Sequence, residues 1–130
     1  MHLKCNPATI AAPVPTGCYS HAVEVAPNAR WLYISGQSGV RPDGSLPVDF
    51  AAQAEQTFAN IRAILVDAKM NVDDLVKLVV FITRSEDLPD CRRFRNTFLG
   101  EARPAQTLVR IVGLAIPGWL IEVEAVAAKT

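Results

Sequence analysis

Leu75-Val76-Lys77-Leu78-Val79-Val80-Phe81-Ile82-Thr83 is a nearly continuous run of apolar and β-branched side chains, interrupted by Lys77. The pattern fits a strand covered on both faces, or a strand covered by helices on one face and by a second subunit on the other. Its neighbours on either side carry helical period. Upstream, Ala54, Phe58, Ile61, Leu65 and Ala68 recur at spacings of three and four, so Asp49 to Lys69 is predicted as an amphipathic helix with Asp49 as N-cap, followed by a loop from Met70 to Asp74. Downstream, Leu88, Cys91, Phe94, Phe98 and Leu99 form a second stripe. That helix is expected from about Leu88 to Leu99, capped by Asp87 or Ser85 and stopped by Gly100.

Further out the period falls to two. His21 to Ala26 alternates apolar and polar, Pro27-Asn28-Ala29-Arg30 reads as a turn, and Trp31 to Ser35 is aromatic and β-branched, so a β-hairpin is expected there. The three prolines between Pro7 and Pro15 oppose helix and predict extended chain. Arg41-Pro42-Asp43-Gly44-Ser45 and Pro117-Gly118 are turn signals, and Arg103-Pro104-Ala105 is a connector. Thr107 to Val112 and Leu120 to Ala127 complete the strands. The expected order is β-β-α-β-α-β-β, a two-layer α+β domain spanning 1–130 with two helices on one face of a mixed sheet. The other sheet face lacks cover from within the chain and is expected to be buried in an oligomer.

Composition narrows the function classes. The chain has 130 residues, half of them apolar, which suffices for one core without disulfides or metal. Thirteen basic side chains balance thirteen acidic ones, which disfavours nucleic acid as a partner. The one basic cluster, Arg92, Arg93 and Arg95, reads first as a solvated helix face. Cys5, Cys18 and Cys91 form no CxxC pair, so reduced thiols and no metal site are expected. The start of the chain lacks the long apolar stretch of a signal peptide, no run is long enough to span a bilayer, and a cytoplasmic location is the default.

No generic catalytic motif occurs: there is no GxSxG, HExxH, P-loop or strand-borne GxGxxG. His2 and His21 are isolated, and no cysteine has an evident partner base. The remaining candidates are Glu122 and Glu124, two residues apart and therefore on one face of the last strand, either facing solvent or functional.

Four stretches carry a resemblance. Thr16-Gly17-Cys18-Tyr19-Ser20, Tyr33-Ile34-Ser35-Gly36-Gln37, the segment Ala52 to Ile61, and Arg103-Pro104-Ala105-Gln106-Thr107 with Pro117-Gly118 and Ile121 to Ala125 occur in order. Together they resemble the Rid family (reactive-intermediate deaminase), also called YjgF or L-PSP. The resemblance implies a chorismate-mutase-like fold, a homotrimer with clefts between subunits, no cofactor, and hydrolysis of reactive enamines or imines. It implies Glu122 as the residue positioning water, and Tyr19, Ser35 and Gly36 as cleft residues. It also implies an arginine for the substrate carboxylate where this chain has Gln106. A neutral amide in place of a two-pronged cationic contact costs about 1.5–3 kcal/mol of binding and implies an altered substrate, larger or less charged. Arg92 is the favoured substitute. Arg103 lies in the preceding loop, and Arg110 shares strand parity with Gln106 but sits about 13 Å away by strand rise. The alternative is a non-catalytic trimer that binds or senses a small metabolite. A ribonuclease role has little support from a chain of zero net charge without paired histidines.

Overall fold

The computed structural model describes residues 2–130; Met1, included in the single-domain expectation, lies outside the described residues. The elements are β1 (Leu3–Cys5), β2 (Ala22–Glu24), β3 (Arg30–Gln37), α1 (Phe50–Asp67), β4 (Leu75–Ile82), α2 (Leu88–Leu99), β5 (Ala105–Arg110) and β6 (Ile121–Lys129). The main sheet has the order β3-β6-β4-β5, with β4 and β5 parallel and the other pairs antiparallel. Both helices pack on one face, giving the expected two-layer α+β architecture with a mixed sheet.

The decisive apolar run is β4, and its cover is asymmetric. Leu78, Val80 and Ile82 are fully buried under the helices, whereas Val79 and Phe81 are half-buried on the opposite face. That open face also carries Trp31 and Tyr33, stacked 6.3 Å apart and largely exposed. On the helix side, Ile61 and Leu65 of α1, Cys91 and Leu99 of α2, and Val123, Ala125 and Ala127 of β6 close one core.

Both helix boundaries follow from the residues. Asp49 Oδ2 accepts from the Ala52 amide at 3.4 Å, capping α1. In α2, Pro89 sits in the first turn, where no intrahelical N–H is lost, and Gly100 ends the helix at φ +55°. Asp87 occupies the cap position, but its carboxylate does not cap. It is held instead by Arg84 Nε and a guanidinium NH2, at 2.7 and 2.9 Å.

The expected hairpin does not form. β2 pairs with β1, an element too short to show periodicity, and β3 pairs with β6. The reason is burial. β6 pairs with β3 from Arg30 to Gln37 and places Ile34 opposite Ala125 in the core, whereas β2 has three residues and none fully buried. The β5 strand also begins two residues earlier than expected, which brings Gln106 into the parallel ladder opposite Leu78.

Gln53 is the main polar tie inside the core. It is fully buried on α1; its Nε2 donates to Pro47 O at 2.8 Å and Gly118 O at 2.9 Å, and its Oε1 accepts from Leu120 N at 2.9 Å.

Burial pushes the Cys91 thiol up to about 11, against a smaller opposing pull from the Arg95 and Arg92 charges. A thiol reagent at pH 8 is therefore expected to modify Cys5 and Cys18, both partly exposed, and to reach Cys91 only on unfolding. The folded protein keeps this proton where the unfolded chain gives it up. The contribution to stability is thus full below about pH 8.5 and declines as pH rises through about 11. Rapid labelling of Cys91 in the native protein at pH 8 would contradict this.

Candidate functional site

The strand β5, the first half of α2 and the segment from Val14 to Tyr19 enclose a cavity of about 460 Å³. The N-terminal segment forms its outer wall and is fastened by several bonds. Arg95 and Asn96 of α2 both donate to Thr16 O, at 3.2 Å each. Gln106 Nε2 donates to Gly17 O at 3.3 Å and to Cys18 O. The Tyr19 hydroxyl accepts from Val14 N at 3.2 Å, and the ring fits because residue 17 is glycine: a Cβ there would lie 2.6 Å from Tyr19 Cδ1. Ser20 continues the wall into the core, its N and Oγ donating to Pro104 O and Arg103 O.

Among the described residues, three guanidinium groups line this cavity, from Arg92, Arg95 and Arg110, and no carboxylate does. Arg95 is 4% exposed and bonds only to Asn96 Oδ1 and Thr16 O, so its charge is buried without an anionic partner among the described residues. Desolvation is the largest influence on it and lowers its pKa. Asp87, at the start of the same helix, is already paired with Arg84, and Arg93 is paired outward with Asp90. The basic cluster therefore divides. Arg93 is the solvated face the composition suggests, Arg92 stands at the cavity rim, and Arg95 is inside. The cavity brings Arg110 and Gln106 to one site despite their spacing along β5. Arg103 turns away to Gly100 O and Ala102 O.

Gln106 faces the cavity in a constrained orientation. Two carbonyls accept from its Nε2, which fixes which end of the amide is which, and its Oε1 is buried with no partner. An orphaned buried acceptor costs about 1–3 kcal/mol.

Glu122 is elsewhere. In the ladder it stands opposite Phe81, while Gln106 stands opposite Leu78. Positions three apart on β4 face opposite ways, so Glu122 lies on the open face and Gln106 on the helix face. The β3 chain is irregular between Ile34 and Gln37, and this brings Gly36 against the Glu122 carboxyl. A Cβ on Gly36 would fall 2.8 Å from Glu122 Cδ. The carboxylate makes no hydrogen bond or ion pair with another described residue. Ser35 precedes Gly36 on β3 and is exposed. One protomer thus gathers Tyr19, Arg92 and Gln106 in the cavity, and Gly36 and Glu122 in a second place, without joining the two groups. Arg95, expected on a solvated helix face, is instead buried; its i,i+3 spacing from Arg92 puts both on one side of α2. Gly36→Ala is expected to displace the Glu122 side chain and reduce any Glu122-dependent turnover at least about tenfold with little loss of Tm. Unchanged turnover would show that the close approach has no functional weight.

Comparison with known proteins gives a consistent set. Residues 9–129 match the sequence family described as Endoribonuclease L-PSP. A RutC family protein of Aquifex aeolicus is 35% identical over 124 residues, covering 93% of this chain and 96% of that one. The 2-iminobutanoate/2-iminopropanoate deaminase of Escherichia coli K12 is 33% identical over 126 residues, covering 94% and 95%. Among solved structures, YyfB of the Rid protein family from Yersinia pestis superposes with a TM-score of 0.87 at 31% identity, covering 98% of each chain.

Proposed function

The chain belongs to the Rid (L-PSP) family, and on that premise we propose that it hydrolyses an imine or enamine in a cleft that two copies of this chain complete, acting as a homotrimer of single domains in the cytoplasm. The observation that carries the reading is the separation of Glu122 from the cavity on opposite faces of one sheet. The open face of one protomer presents the carboxylate. The cavity of another presents Tyr19, Gln106 and the arginines. Docking the open face against a neighbour also covers the exposed Trp31 and Tyr33.

The chemistry asks little of the protein. Water adds to the imine carbon while Glu122 takes its proton and passes it to the nitrogen, giving the carbinolamine; Glu122 then takes the hydroxyl proton and returns it to the nitrogen as the C–N bond breaks, releasing ammonia and the carbonyl product. An enamine first tautomerises to the imine. Ser35 and Gly36 line the carboxylate side, and Gly36 leaves Glu122 room to lie close to the backbone. No cofactor enters any step. No described helix is long and apolar enough to cross a membrane.

The test is ammonia release from freshly generated 2-iminobutanoate, 2-aminoacrylate and larger imino acids, with light scattering on the same sample. Release faster than buffer for at least one of them, from a species of three times the chain mass, is the expected result. Rates equal to buffer across the series overturn the reading; a ligand that binds but is never converted would instead favour the sensing trimer.

A further inference from the structure

We infer that the arginine-lined cavity selects a ligand with two carboxylates, so that the substrate is the imine of a dicarboxylic amino acid rather than of a small neutral one; this rests on the hydrolytic reading for the word substrate, but not for the binding. Three features support it. Within one protomer the cavity carries three guanidinium groups and no carboxylate among the described residues. One of the three, Arg95, is buried without an anionic partner among the described residues of its own protomer, and a buried charge in that state is costly until a counter-ion arrives. Arg92 and Arg95 project from one side of α2, while Arg110 stands on β5 across the cavity, so the positive charge comes from two walls. A single carboxylate can satisfy one wall. A second carboxylate is needed to answer the other.

Gln106 fits this assignment. Its N–H groups are committed to Gly17 O and Cys18 O, so it holds the cavity wall in place and offers no cationic grip of its own. The anion-binding role passes to arginines at other positions, and their number exceeds what one carboxylate uses. The cavity, at about 460 Å³, is ample for a five- or six-carbon diacid.

The experiment is calorimetric titration of the full-length protein with glutarate and with butyrate, at two salt concentrations. Glutarate is expected to bind at least about tenfold tighter than butyrate, with affinity falling as salt rises. Arg92→Gln and Arg110→Gln, both at exposed positions, are each expected to remove most of that preference while Tm stays unchanged. Arg95→Lys keeps the charge and tests the buried site without leaving it empty. Equal affinity for the two acids, or a preference that survives both glutamine variants, overturns the inference. The two proposals fail separately: glutarate binding without turnover of any imine sinks the hydrolytic reading alone, and turnover of 2-iminobutanoate without diacid preference sinks this one alone.

Discussion

Glu122→Gln is expected to lower kcat for ammonia release by about 10²–10⁴-fold, the usual range for removing a general base, with KM little changed. The variant should fold as the parent does. The Glu122 carboxylate makes no hydrogen bond or ion pair with a described residue and is half-buried beside Gly36, so its replacement by the isosteric amide costs the folded state little. A change within about 0.5 kcal/mol in urea unfolding is expected for such a site. The amide keeps the shape and can still hydrogen-bond water, but it cannot take a proton. The substitution therefore separates the base from a residue that only fills space. Diacid binding in the arginine cavity should persist in this variant, because the guanidinium groups that hold the carboxylates are unchanged. Turnover within about tenfold of the parent would remove Glu122 from the chemistry.

Much of the fold was legible because its signals are local. The β4 run, the stripe from Ala54 to Leu65 and the stop at Gly100 each depend on residues within one element. Pairing was less legible. The hairpin expected from Trp31–Ser35 and its upstream neighbour gave way to β3–β6, because that partner lies some ninety residues further along and its advantage is the burial of Ile34 against Ala125. Local alternation cannot weigh such a contact.

The site shows the same division. The resemblance singled out Glu122 and Gln106, but the face each occupies depends on register across β4, where Phe81 and Leu78 are their respective partners. Charge patterning had the same limit at α2. Arg93 and Arg95 are two residues apart, yet one pairs with Asp90 in solvent and stacks its guanidinium 4.4 Å from the Phe94 ring, while the other is buried against Thr16 O. What separates them is the N-terminal segment folding back over one side of the helix. The loss of cationic contact implied by Gln106 is also altered: the cavity has more positive charge than one arginine would supply, not less.

Gln53→Leu is expected to destabilise the protein by about 3 kcal/mol or more. Leucine is close to glutamine in volume, so the cavity term is small and the loss is that of three hydrogen bonds. Pro47 O, Gly118 O and Leu120 N all lose their partner at once. The Pro47 bond is fully buried, whereas those to Gly118 and Leu120 are partly accessible, so water restores some of the second and third but not the first. The substitution also cuts the link between α1 and the loop that feeds β6. Hydrogen exchange at the Leu120 amide should therefore accelerate more than exchange in β4. In urea, the midpoint should fall with an unchanged m-value, as for a protein that keeps its native compactness but loses specific bonds. A loss below about 1 kcal/mol would mean that solvent or a shifted loop satisfies all three groups, and that the approach of Gly39 to the Gln53 backbone, rather than the amide, holds this end of the helix.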